Sequence, residues 1–184
     1  MNMEIREALS ADLEDVLTVE RAAFGSDEEA ELVRALLEDS SARPVLSLLA
    51  VEHEQAVGHI LFTAVHLIET PEEMQKTAST ALLAPLAVVP TFQKQGVGTQ
   101  LVERGFQLLS QSGVDLVFVL GSPDYYSRHG FWPAGALGFE APYVLPEKWT
   151  EAWMVRSLTP NLIGNVSGKV ICADAISKPE FWQE

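Results

Sequence analysis

Leu86-Ala87-Val88-Val89-Pro90-Thr91-Phe92-Gln93-Lys94-Gln95-Gly96-Val97-Gly98-Thr99-Gln100-Leu101 is the stretch on which the reading of this chain turns. A β-branched apolar run stops at Pro90. A short polar loop follows, with Gly96 and Gly98 spaced Gly-x-Gly, and then an amphipathic helix opens. Backbone N–H groups at a helix start have no intrahelical partner, and the helix dipole adds partial positive charge there. Such a turn suits a bound diphosphate. Glycines at 96 and 98 carry no Cβ, so ligand oxygens can approach the backbone. Lys94 is the one cation of the loop, which leaves most of the anion binding to main-chain amides.

Gly-x-Gly alone is a weak signal. A dinucleotide fingerprint needs a third glycine where Leu101 stands, and a Walker loop needs Gly-Lys-Ser/Thr; neither is present. The fuller pattern is Gln93-x-x-Gly96-x-Gly98 directly after a strand ending in Val-Val-Pro. It resembles the Gln/Arg-x-x-Gly-x-Gly/Ala motif of the GNAT superfamily of N-acetyltransferases. The resemblance implies that acetyl-coenzyme A is held here, its pyrophosphate on the loop amides. The coenzyme-contacting positions it implies are Leu86, Ala87, Val88, Gln93, Lys94, Gln95, Gly96, Val97, Gly98 and Thr99. The plain alternative is a helix-start turn with glycines for tight packing.

A second segment lies further along. Leu116-Val117-Phe118-Val119-Leu120-Gly121 reads as a buried strand, followed by Ser122-Pro123-Asp124-Tyr125-Tyr126-Ser127-Arg128-His129-Gly130-Phe131. Ser122 is a candidate N-cap, Pro123 a favoured first helical residue, and Gly130 suits a left-handed position after the last turn. The spacing predicts a short helix of about two turns. Tyr126-x-x-x-Gly130-Phe131 resembles the Tyr-x-x-x-Gly-Phe segment of the same family. That resemblance implies that Tyr126 lies near the coenzyme sulfur and protonates the departing thiolate. Tyr125 is adjacent, but helical geometry turns the two side chains about 100° apart, so only Tyr126 is expected to face the coenzyme.

Composition bounds the rest. A chain of 184 residues with 47% hydrophobic residues is long and apolar enough for one domain with a substantial core. Lys and Arg total 12 against 26 Asp and Glu, a formal charge of −14. A nucleic-acid partner is not expected, because phosphate binding needs clustered cations. No apolar run reaches the roughly 20 residues of a membrane span. The N-terminus lacks the zones of a signal peptide, so a cytoplasmic location and no membrane partner are expected. The single Cys172 permits no internal disulfide and reads as a small buried residue. No His, Cys, Asp or Glu grouping shows metal-ligand spacing, so no metal is expected.

The order of elements predicts a mixed α/β (α+β) protein with one central sheet. Met3 to Ala8 reads as a strand. Ser10 caps a helix carrying Leu13, Val16, Leu17 and Phe24 on one face. Ser26-Asp27-Glu28-Glu29 opens a second helix with Leu32, Val33, Leu36 and Leu37 inward. Val45 to Val51 and Val57 to Ile68 read as strands joined by a hairpin at residues 52–55, and Ala81 to Val89 feeds the glycine loop. The helix after that loop ends near Ser112-Gly113. The GNAT resemblance implies that the fourth and fifth strands splay apart around the pantetheine arm. It covers about residues 3–159 of a single domain spanning 1–184. The order Leu158-x-Pro160, Gly168-x-Val170 and Pro179-x-Phe181-Trp182, leading into and along the extension at 160–184, resembles the C-terminal extension of one bacterial GNAT subgroup. Its simplest role is to cover a sheet edge.

The expected function is transfer of an acetyl group from acetyl-CoA to a primary amine of a small molecule or peptide, by direct attack in a ternary complex. A backbone N–H near Val88 is the expected oxyanion donor. The general base is not evident, because the fourth strand carries no acid or histidine. His66 and Glu69 are candidates, directly or through water, His53 and His59 weaker ones, and His129 reads as a residue that helps end the short helix. Two rival readings stay open: a non-catalytic acyl-CoA binding or sensing module, and an interaction domain on the same scaffold. The sequence is compatible with a homodimer and names no acceptor.

Overall fold

The computed structural model describes residues 2–68 and 78–183. In chain order the elements are β1 (Met3–Glu7), α1 (Leu13–Phe24), α2 (Glu28–Glu38), β2 (Leu46–Glu52), β3 (Gln55–Ile68) and β4 (Thr80–Val88). They continue with α3 (Val97–Gln111), β5 (Leu116–Leu120), α4 (Pro123–Tyr126), β6 (Trp132–Pro133), β7 (Phe139–Glu140), β8 (Trp153–Ser157), β9 (Gly168–Ile171) and α5 (Glu180–Gln183). The sheet runs β1-β2-β3-β4-β5-β8-β6, and β9 pairs both the end of β3 and β7.

Side chains alternate across the strands and build a core on each face. Leu49 and Leu61 lie with Val16 of α1, Val33 and Leu36 of α2, and Trp182 of the tail. Leu48, Ile60 and Phe62 lie with Leu101 and Val102 of α3. Helix α1 ends where Gly25 takes a left-handed φ of 69° and its N–H bonds the Arg21 carbonyl at 2.9 Å. The β2–β3 hairpin turns on His53 and Glu54 at φ 49° and 65°, the geometry of a tight two-residue turn.

The sheet departs from uniform pairing at one place that matters. Strands β4 and β5 are parallel, joined through α3, and pair only from Thr80–Leu82 to Leu116–Phe118. Beyond Leu82 the β3–β4 register slips, with Leu83 facing Phe62 and Leu86 facing Ile60. Ala84 and Pro85 together therefore oppose Leu61, a β-bulge. Pro85 has no N–H to donate to a ladder, while β5 stays paired to β8 as far as Leu120–Trp153. The two strands part, as the resemblance implied.

Several local expectations are corrected. Ser10 does not cap α1; a 3₁₀ turn over Ser10–Asp12 precedes it, and the Asp12 carboxylate accepts the Leu9 N–H at 2.7 Å. A carboxylate reaching back three residues replaced the hydroxyl. Phe24 does not join the core and remains 43% exposed, because the sheet it would cover has opened. His59 is fully buried in a polar chain under α1. Its Nδ1 lies 2.6 Å from Glu20 Oε1 and its Nε2 2.8 Å from Ser47 Oγ, tying α1 to β3 and β2. Burial raises the Glu20 carboxyl above its usual range, against the opposing pull of His59. The tail does cover the end of β3, pairing His66–Ile68 with Lys169–Ile171. It also docks on the turn after α2, where the Asp174 N–H donates to Ser41 Oγ and the Ala175 N–H to Asp39 Oδ2, each at 2.9 Å. No described helix is long and apolar enough to cross a membrane.

Candidate functional site

Two cavities open on either side of the β4–β5 gap. The one on the glycine-loop side, about 710 Å³, is lined by Leu86, Val88, Gln93, Lys94, Gly96, Val97, Gly98 and Thr99, with Tyr125, Tyr126 and Arg128 opposite. Gly96 caps α3 at φ 85°, a conformation that strongly favours glycine. The first bond of the helix is Gln100 N–H to the Gly96 carbonyl at 3.0 Å. The amides of Val97, Gly98 and Thr99 therefore stand free at its start, on the cavity wall. Each expected loop residue is near this wall except in two side chains. Ala87 turns inward at 1% exposure, as alternation requires between Leu86 and Val88. The Gln95 side chain folds back to donate to the Thr91 carbonyl at 3.0 Å.

Gln93 does not point its amide at the cavity alone; Nε2 donates to the Val88 carbonyl at 3.0 Å and latches the loop to the end of β4. Along β4 the Val89 N–H bonds Val57 of β3 at 2.9 Å. Successive amides of a strand point to opposite sides, so the Val88 N–H points away from β3 and into the gap.

Both tyrosines face this cavity, which corrects the expectation that only Tyr126 would. Their rings meet edge-on with centroids 5.0 Å apart. The Tyr126 ring lies against Gly121 at the end of β5 and edge-on to Phe131 at 5.4 Å. Burial, reinforced by Tyr125, pushes its phenol pKa well above the ordinary value. Tyr125 lies across the glycine loop, its hydroxyl in the space over Gly98. The Arg128 guanidinium sits over the Tyr125 ring, 5.0 Å from its centroid. Arg128 is a second cation at the cavity that sequence reasoning missed. Its signal was the i, i+3 spacing from Tyr125 on a short helix. Phe92, in the turn before the loop, also lines the wall and was missed.

The second cavity, about 450 Å³, lies on the α1–α2 side of the gap. Leu86 and Tyr126 border both cavities. Its outer walls come from Phe24, Glu28, Glu29 and Leu32, and from Ile176, Phe181 and Trp182 of the tail. Of the base candidates, His66 lines a different cavity and pairs with Ile171, and Glu69 lies outside the described residues. His59 is sealed under α1, and His129 sits beside Tyr125 with ring centroids 4.9 Å apart and its Nε2 buried without a partner. Burial pushes the Cys172 thiol up to about 12, as fits an inert core residue. Among the described residues no group of His, Cys, Asp or Glu could hold a metal ion.

Residues 4–134 match the family model described as an acetyltransferase (GNAT) domain. The chain is 47% identical over 165 residues to YjhQ of Escherichia coli K12, described as an uncharacterised N-acetyltransferase, covering 89% of this chain and 88% of that one. It is 34% identical over 172 residues to the E. coli N-acetyltransferase YhbS, covering 91% and 95%. The crystal structure of YhbS with CoA superposes with a TM-score of 0.84 at 29% identity, covering 96% of this chain and 92% of that one. A GNAT acetyltransferase from Brucella melitensis, solved with acetyl-CoA, gives 0.72 at 26% identity, covering 95% and 98%.

Proposed function

Because the chain belongs to the GNAT family of acetyltransferases, we propose that it transfers the acetyl group of acetyl-CoA to a primary amine by direct attack across the β4–β5 gap. The observation that carries this reading is the gap itself: pairing stops after Leu82 and Phe118, and two cavities meet there at Leu86 and Tyr126. One side takes the coenzyme, with its pyrophosphate on the amides of Val97, Gly98 and Thr99 and countercharge from Lys94 and Arg128. The other side takes the acceptor.

The amine nitrogen, as the free base, attacks the thioester carbonyl carbon. The N–C bond forms and the carbonyl electrons move to oxygen, where the Val88 N–H donates to the oxyanion. Collapse breaks the C–S bond. The thiolate takes the Tyr126 hydroxyl proton, leaving CoASH and a tyrosinate. The excess proton on the product nitrogen returns through solvent to Tyr126. No covalent enzyme intermediate is needed, and holding both substrates together supplies much of the rate.

The alternative, a non-catalytic acyl-CoA binding module, is favoured by one observation: β4 carries no acid or histidine. Titration calorimetry with CoA and thiol release from acetyl-CoA across an amine panel separate the two. Tight coenzyme binding with no acetylated product from any amine would favour the module.

A further inference from the structure

The acceptor-side cavity has an uneven chemistry. Its lining is mainly apolar, with Phe24, Leu32, Phe181 and Trp182 among it. Its charged lining residues are Glu28 and Glu29, both in the first turn of α2. Among the described residues no Lys, Arg or His lines it. Ser26 Oγ donates to Glu29 Oε2 at 3.2 Å and holds that carboxylate in place. Glu29 is also close enough to add to the raised pKa of buried Glu20, whose Oε2 has no partner. This corner of the site is therefore negative and receives no compensating cation from the cavity wall. Phe24, at 43% exposure, is a large apolar side chain left partly open at the cavity.

We infer that the acceptor is a primary amine on a small apolar body, cationic and free of carboxylate or phosphate, which the cavity admits through Glu28 and Glu29 and encloses between Phe24, Leu32, Phe181 and Trp182. This rests on the acetyl-transfer reading and specifies its acceptor. An acidic substituent entering here would be desolvated beside two carboxylates with no countercharge, a large penalty. An ammonium gains from the same two groups, and its apolar body replaces water on the aromatic walls. The volume of about 450 Å³ fits a small molecule. A cation beyond the cavity wall that could reverse this preference is Lys148. It lies in the adjoining cleft past Phe181, with its ammonium 5.2 Å from the centre of the Trp149 ring.

The test uses the whole chain saturated with CoA or acetyl-CoA, and phenethylamine, phenylalanine and glucosamine 6-phosphate as probes. Calorimetry on the CoA complex reads binding; thiol release and product mass read transfer. Phenethylamine is expected to bind, and to exceed phenylalanine in kcat/KM by at least about tenfold, the cost of about 1.4 kcal/mol. Glu29→Gln and Phe181→Ala should each raise the phenethylamine KM several-fold and leave coenzyme affinity unchanged, while Lys148→Met leaves both unchanged. Phenethylamine that binds with these dependences but is never acetylated would sink the acetyl-transfer reading and leave the cavity assignment standing. Equal or better use of phenylalanine or the sugar phosphate, loss of acceptor binding in Lys148→Met, or no phenethylamine binding would overturn the inference.

Discussion

The Tyr125 hydroxyl occupies the space that a Cβ at Gly98 would need. The second glycine of the loop thus serves a side chain of this protein as well as any ligand. Gly96 is different: nothing lies within 4 Å of its Cβ position, and its φ of 85° is what requires glycine.

The two glycines should therefore fail in different ways. Gly98→Ala is expected to push Tyr125 off the helix start and weaken CoA binding by about tenfold or more, an effect of about 1.4 kcal/mol, with the unfolding midpoint little changed. Gly96→Ala should cost about 1 kcal/mol of stability through the left-handed backbone. Calorimetry paired with urea unfolding of both variants checks the contrast, and equal behaviour in the two would contradict it.

Tyr126→Phe keeps the ring on Gly121 and removes only the hydroxyl. It is expected to lower kcat by roughly 10²–10⁴-fold, as for a lost general acid, with coenzyme affinity retained. Tyr125→Phe should be milder in kcat. The pH dependence has a definite sign. A general acid must be protonated, and burial raises the Tyr126 pKa, so the proton is held to higher pH than on a free phenol. The wild-type kcat should show no fall from this group between pH 7 and about 10. A descending limb near pH 8 that vanishes in Tyr126→Phe would contradict the raised pKa, and a near-normal kcat in Tyr126→Phe would refute the general-acid assignment.

Asp12 offers a stability test in acid. Two bonds from Arg6, at 2.8 and 2.9 Å, and one from the Leu9 N–H at 2.7 Å hold its carboxyl down to about 2 from an ordinary 3.8. A depressed acid contributes stability above its unfolded pKa and loses it as pH falls through the folded value. The midpoint of urea unfolding should drop between about pH 4 and 2. Asp12→Asn should be less stable at pH 7 and show a shallower drop over that range.

Trp182 ties the tail to the core. Its ring meets Trp153 edge-on at 5.7 Å, and its Nε1 donates to the Ile176 carbonyl at 2.9 Å. Trp182→Ala is expected to cost about 3–5 kcal/mol by urea unfolding, as a buried Trp truncation does. CoA affinity of the folded fraction should stay within about twofold, less than the 1.4 kcal/mol of a tenfold change, because no described tail residue lines the glycine-loop cavity. A large loss of CoA affinity would show that the two cavities are coupled through the tail.

The glycine loop, the hairpin at His53–Glu54 and the turn at Gly130 were legible in the sequence because each depends on residues within a few positions of one another. Helix starts, left-handed glycines and apolar periodicity are properties of short segments. From these, with the family resemblance, followed the mixed α/β fold, the glycine loop at the start of α3 and the place of Tyr126 on the short helix after β5. The rest depended on residues distant along the chain. That Phe24 stays outside the core follows from the opening between β4 and β5. That His59 is sealed follows from Glu20 lying over it from α1. The joint placement of Phe24 and Phe181 across one cavity, Tyr125 over Gly98, and Arg128 beside the loop all arise only when the sheet brings separate segments together. Periodicity reports which side of an element is apolar; it does not report what that side will meet, and the acceptor side of this protein is built almost entirely from such meetings.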